Sequence, residues 1–179
     1  AKILYTIYLL MTVLEIVILL LCGMPVFDAL TTAFGTAGTG GFGIKNDSMG
    51  GYSVTIQIVV TVFMILFGIN FNVYFLLLSK KWKQALKNEE VRWYLAIILG
   101  AVLLIGWNIR GVYGSMGKAI QQAAFQVASI ITTTGFATVD FNIWPEVSRT
   151  ILVLLMFVGA CAGSTGGGIK VSRFIILLK

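Results

Sequence analysis

The chain has 179 residues, 58% hydrophobic and 11% charged, with 13 Lys and Arg against 7 Asp and Glu and no His. A soluble domain carries about a quarter charged residues, so the composition is that of an integral, multi-pass membrane protein. Lacking His and having few acids, it has no evident nucleophile–base pair or metal cluster for an enzyme, and its basic residues form no stripe interleaved with aromatics such as nucleic-acid binding wants.

Cys22 and Cys161 both sit in apolar runs and read as buried thiols rather than a disulfide framework. The chain starts at Ala1 and enters an apolar run without a signal-peptide cleavage pattern, which reads as an excerpt of a longer protein.

Residues 3–22 carry a single charge, Glu15. As helix they extend about 30 Å, enough to cross a bilayer core. Gly23-Met24-Pro25 breaks the run, and Pro25 suits the first turn of a new helix with Asp28 at its positive end. That helix, 26–36, is too short to span and fits a half-membrane pore helix ending at a loop over 37–43. A polar stretch from Ile44 to Ser48 follows. A second span is expected over 53–79, uncharged throughout, its apolar surface interrupted by Gly68, Asn70 and Asn72.

Lys80, Lys81, Lys83, Lys87 and Arg92, with Glu89 and Glu90 among them, make a loop that the positive-inside rule puts in the cytoplasm. It reads as a solvated loop, compatible with docking a partner. A span over 93–109 leads to a second pore helix at 116–130, with Ser115 as a candidate N-cap, and to a loop over 131–138. Asp140, Trp144, Pro145 and Glu146 mark the outer surface, Trp144 as a candidate interface anchor. Arg110 and Arg149 read as outer-interface residues.

Two units thus repeat in parallel, each a span, pore helix, loop and span: 1–79 and 93–179, joined by 80–92. Aligning Gly41 with Gly135 gives an offset of 94 residues. From Glu146 to Lys179 there are thirty-four residues, about 50 Å as continuous helix against roughly 30 Å of hydrocarbon. Gly159, Gly163 and Gly166-Gly167-Gly168 disfavour regular helix there. Non-helical backbone at that depth needs cover from protein or a water-filled cavity. A flexible pore-side loop over 160–168 is preferred to a kinked helix packing through small residues.

A dehydrated monovalent cation needs a replacement for its water shell, and rings of backbone carbonyls supply one without a fixed charge. Glycine permits the dihedrals that aim carbonyls inward, and a pore helix points its partially negative C-terminus at the cavity. Neither loop contains Asp or Glu, which fits carbonyl coordination of a monovalent ion better than an acidic ring. Both loops are therefore candidate filters.

The chain resembles the Trk/Ktr/HKT superfamily of potassium transporters, most closely bacterial TrkH-type subunits. The resemblance is carried by Phe27-Asp28-Ala29-Leu30, Gly38-Thr39-Gly40-Gly41-Phe42, Gly68-Ile69-Asn70-Phe71, the stretch from Ser129 to Ala137, and Gly163-Ser164-Thr165-Gly166-Gly167-Gly168-Ile169-Lys170. It implies an all-α fold in which four such units surround one pore. Potassium, the transported ion, is then expected at Ala37, Gly38, Thr39, Gly40 and Gly41 and at Ile131, Thr132, Thr133, Thr134 and Gly135. By the same resemblance Ala162, Gly163, Ser164, Thr165, Gly166, Gly167 and Gly168 form an intramembrane gate below the filter. No cofactor is implied. The implied partners are lipid, further pore units, a second copy in a homodimer and a cytosolic nucleotide-binding regulatory subunit; the implied location is the bacterial inner membrane. The two units match the second and third of the family's four, so this stretch supplies half a pore. A non-conducting structural or assembly subunit is the alternative.

For Glu15 a paired or hydrogen-bonded structural role is preferred to an ion site. Asn70 and Asn72 either face the pore or tie helices together. Lys170 and Arg173 either touch a regulator or hold the glycine loop, though positive-inside anchoring is preferred. The 163–170 stretch has a superficial likeness to a phosphate-binding loop, but the lysine does not directly follow the last glycine and no strand precedes it.

Overall fold

The computed structural model describes residues 2–178; Ala1 and Lys179, the outermost residues of the two expected units, lie outside the described residues. The elements are α1 (Lys2–Leu21), α2 (Val26–Ala37), α3 (Val54–Phe67), α4 (Phe71–Leu78), α5 (Trp82–Leu86), α6 (Glu89–Tyr113), α7 (Met116–Ile131), a 3-10 turn (Phe141–Ile143), α8 (Glu146–Phe157) and α9 (Val171–Leu178). Among the described residues no strand forms beyond an isolated parallel bridge between Val158 and Ile169. The chain is all-α.

Two helices, α1 and α6, are long and apolar enough to cross a membrane. Their outward faces carry exposed Leu9, Leu10, Leu14, Leu99, Leu103 and Leu104, the surface that hydrocarbon solvates. The 12 residues of α2 reach about 18 Å as helix and the 16 of α7 about 24 Å, so neither spans. α2 packs against α1 and α3, and α7 against α3, α6 and α8. Small residues on α6 and α7 permit the close approach; a Cβ at Gly106 would stand 3.1 Å from Ile120 Cγ1.

The second span expected over 53–79 is not one helix. α3 stops at Phe67, α4 starts at Phe71, and the two axes are bent by 90°. The corner satisfies the backbone it frees: Tyr94 donates to Ile65 O at 3.2 Å, Tyr74 to Leu66 O at 2.7 Å and Thr165 to Phe67 O at 3.4 Å. Asn70 then caps α4, accepting from Asn72 N at 2.9 Å. Asn70 therefore builds the corner, while the Asn72 side chain is exposed. Gly68 is required because a Cβ there would overlap the Tyr94 hydroxyl and stand 3.0 Å from Thr132 Cγ2.

Other boundaries differ from the sequence expectation for local reasons. The basic segment is not all loop: it holds α5, and α6 already begins at Glu89, where Asn88 caps it by accepting from Val91 N at 3.2 Å. Ser115 occupies the N-cap position of α7 but makes no side-chain capping bond, and Gly114, at φ 63, ends α6 immediately before it. Trp144 is 2% exposed and donates its Nε1 hydrogen to the Tyr113 hydroxyl at 3.0 Å. It plugs the core at the end of α6 rather than anchoring at an interface, since the 3-10 turn folds it inward. Outside it, Arg110 stacks on Trp107 at 4.1 Å and Arg149 pairs with Glu146 at 3.5 Å.

Candidate functional site

The two short helices end alike. Gly38 N bonds to Phe34 O (2.9 Å), Thr39 N to Thr36 O (3.2 Å), and Gly40 N and Gly41 N both to Gly35 O (2.8 and 3.4 Å). At the same offset of 94 residues, Thr132 N bonds to Ala128 O (3.1 Å), Thr133 N to Ile130 O (3.0 Å), and Thr134 N and Gly135 N both to Ser129 O (2.9 and 3.3 Å). Each helix thus closes in a Schellman motif with its left-handed residue just past the cap. That residue is a threonine both times, Thr39 at φ 51 and Thr133 at φ 58. A β-branched side chain at positive φ is strained, and such strain persists only where the surroundings over-determine it.

Gly41 and Gly135 follow at φ 62 and 90. The two loops abut there. A Cβ at Gly41 would overlap the Thr134 carbonyl oxygen and lie 2.9 Å from Gly135 C, whereas a Cβ at Gly135 would meet nothing within 4 Å.

Hydroxyls hold the second loop to its helix. Ser129 donates to Phe136 O at 2.5 Å, and Thr132 Oγ1 lies 2.7 Å from both Ala128 O, to which it donates, and Thr134 Oγ1. From the 44–53 connection, Ser48 Oγ accepts from Ala137 N at 3.2 Å and Met49 N donates to Ala137 O at 2.8 Å. Gln126 donates to Val139 O at 3.2 Å, and Gln121 reaches Gln57 Oε1 at 2.7 Å across α7 and α3. At the same connection, Asp28 accepts from the Tyr52 hydroxyl at 2.6 Å and Lys45 lies over that ring. Desolvation, then the Asp28 hydrogen bond and charge, push the Tyr52 phenol above its ordinary range.

Ser129 opens the motif that runs to Ala137 and Ser48 ends a polar turn-rich stretch, but neither signal, nor any at Gln126, points to the partner that the side chain takes.

The expected ion-site residues divide by accessibility. Ala37, Ile131, Thr132 and Thr134 are buried, Thr39, Gly41 and Thr133 partly buried, and Gly38, Gly40 and Gly135 exposed. All ten lie within the two abutting loops or at the helix ends that deliver them.

Beneath the loops lies the glycine segment. It leaves helix at Val158 and returns at Val171, wider than the expected 160–168. Its base is pinched shut by Gly159 N to Ile169 O (2.8 Å) and Val171 N to Ala160 O (3.3 Å). The α3–α4 corner holds it through Cys161 N to Gly68 O (3.0 Å) and Phe71 N to Gly163 O (3.1 Å). Both strained threonines touch it: Thr39 donates to Thr165 O at 3.2 Å, and Thr133 Oγ1 accepts from Gly167 N at 2.7 Å. Lys170, expected first as a membrane anchor, donates from Nζ to Gly166 O within the segment. The seven residues from Ala162 to Gly168 therefore form a hydrogen-bonded, non-helical layer directly against the two loops.

Glu15 departs from expectation. It is 0% exposed between α1 and α2, and neither carboxyl oxygen has a hydrogen-bond partner of sound geometry. Its polar neighbour Thr36 instead donates to Thr32 O at 2.8 Å.

This arrangement has counterparts among known proteins. The whole chain, residues 1–179, matches the family described as TrkH, cation transport protein. The chain belongs to that family. The Trk system potassium uptake protein TrkH of Salmonella typhimurium (strain LT2) is 38% identical over 184 residues, an alignment that takes in 100% of this chain and 38% of the relative. TrkG of Escherichia coli (strain K12), also described as a Trk system potassium uptake protein, is 35% identical with the same coverage. The crystal structure of the potassium transporter TrkH from Vibrio parahaemolyticus superposes with a TM-score of 0.93 at 36% identity, covering 99% of this chain and 39% of that one. The chain thus spans about two fifths of the length of the TrkH relatives it matches. As a TrkH-family chain with apolar spanning helices it is a multi-pass membrane protein of a transport family, not an enzyme.

Proposed function

We propose that this chain supplies two of the units of a potassium-conducting pore in the bacterial inner membrane. In this reading backbone carbonyls over 37–41 and 131–135 take the place of the ion's water, with the accessible residues of each loop nearest the path. The observation that carries it is the pair of helix ends whose four hydrogen bonds correspond one for one, each with a threonine held at positive φ. Both ends aim the negative pole of a half-helix at one place, and neither loop carries a charge that would trap a cation.

A second asymmetry supports further units around the same axis. Phe136 is 1% exposed, its ring tip 3.0 Å from where a Cβ on Gly35 would stand, so the second loop seats on the first pore helix. Its counterpart Phe42 is 86% exposed, with no such helix against it among the described residues. On the far side, Ser129, Ile130, Thr133, Gly135 and Met156 line an open hollow of about 240 Å³. A homodimer and a nucleotide-binding cytosolic subunit, implied by the family resemblance, belong to this proposal as expected partners.

The glycine segment at 162–168 is read as the gate, since it lies against both loops and is held by bonds that can be exchanged. Rubidium-tracer uptake into vesicles containing the complete transporter tests the reading. Potassium-competed uptake is expected; a folded protein with no uptake would leave the structural-subunit alternative standing.

A further inference from the structure

Glu90 stands next to the exposed basic segment, yet its carboxylate reaches the glycine segment. Oε1 accepts from Ala162 N at 2.6 Å and from Ser172 N at 3.2 Å. Those two donors flank the glycines, one where the segment descends and one where α9 begins. Neither has a backbone acceptor to replace Glu90. The first amides of a helix have no intrahelical partner; in α9, Val171 N finds Ala160 O and Ser172 N finds Glu90. Glu90 therefore caps α9 from another helix. It lies in the first turn of α6, so the positive ends of two helices face one carboxylate. Asn88 fixes that turn by capping it, and Lys87 precedes it directly, so a displacement of the basic segment acts on the carboxylate within three residues.

We propose that Glu90 is the positioning residue of the glycine segment, pinning its two flanks through one oxygen so that its conformation is set from the cytoplasmic side. The inference deepens the gate reading above and rests on it only for its effect on flux. Hydrogen bonds to a charged acceptor are the strong ones, and losing both should raise local opening by about tenfold or more.

The test is amide hydrogen exchange, read by peptide mass spectrometry, on the complete transporter carrying Glu90→Ala, Glu90→Gln or, as a neighbouring control, Lys87→Ala. Glu90→Ala should speed exchange at 161–163 and 171–173 by about tenfold while leaving 132–138 and α1 unchanged. Glu90→Gln, which keeps an acceptor oxygen without the charge, should fall between, and Lys87→Ala should match the parent. Unchanged exchange at both flanks, or a uniform rise over the whole chain, would overturn the proposal. Uptake on the same samples separates the two readings: faster local exchange with higher uptake and an unaltered potassium-to-sodium ratio supports both. Faster exchange with unaltered uptake keeps Glu90 as the positioning residue and removes the gate.

Discussion

Alanine at Gly41 and alanine at Gly135 make the same chemical change at equivalent positions, and the structure predicts unequal outcomes. Both glycines are at positive φ, 62 and 90, so each substitution pays the left-handed penalty of about 1–2 kcal/mol. At Gly135 that is the whole effect, because a Cβ there meets nothing within 4 Å. At Gly41 the new carbon would overlap the Thr134 carbonyl oxygen and lie 2.8 Å from its carbon, where ordinary contact begins at 3.4 Å. The obstacle is backbone, so no rotamer relieves it and the loops must part by more than about 1 Å to clear the carbonyl oxygen. Overpacking of this kind adds about 1–3 kcal/mol, bringing Gly41→Ala to roughly 2–5 kcal/mol. Rubidium uptake with potassium and sodium as competitors, together with melting in detergent, reads both effects in the complete transporter. Gly135→Ala should keep its fold and lose part of its preference for potassium. Gly41→Ala should lose most uptake and melt earlier. Equal behaviour of the two variants, or full selectivity in Gly41→Ala, would refute the abutting-loop arrangement.

Thr133→Val removes the oxygen that accepts Gly167 N–H, and Thr133→Ser keeps it; unstimulated uptake should rise several-fold in the first and not in the second, and equal rates would deny the link between the 131–138 loop and the glycine segment. Gly68→Ala should lower the melting temperature by several degrees, since the α3–α4 corner has no room beside Tyr94; an overpacking penalty of about 1–3 kcal/mol is expected, and an unchanged melt would contradict the corner. Glu15→Leu deletes a buried carboxyl whose oxygens make no hydrogen bond of sound geometry. It should leave stability unchanged or raise it by about 1–3 kcal/mol, and a clear loss on thermal denaturation would mean that Glu15 is paired after all.

Much of the site was legible because its signals are local. Pro25 starts a helix, and a helix of 12 residues is too short to span, whatever surrounds it. The density of glycine from Gly159 to Gly168 disfavours helix by backbone entropy alone. The spacing between Gly41 and Gly135 exposes the repeat, and the uncharged loops limit which ion chemistry is possible. The family follows from the same residues.

Other features depended on neighbours far along the chain. The uncharged run from Ser53 to Ser79 looks continuous because hydropathy does not register direction; the 90° corner exists because Tyr74, Tyr94 and Thr165 take up the carbonyls it frees. Trp144 has the surroundings of an interface residue in sequence and becomes core only when Tyr113 receives its N–H. The motif at Thr132 and Thr134 does not say what their hydroxyls hold; in the structure they lie against each other. Glu90 reads as one charge in a solvated loop until α6 and α9 bring it to amides 72 and 82 residues away. By itself the sequence determined where helix can form, where it must break and which regions tolerate no charge, since propensity and hydrophobic length act over a few residues. Only the tertiary structure decided which polar group satisfies which buried amide or carbonyl, because a hydrogen bond requires its partners to be within about 3 Å and packing alone brings them there.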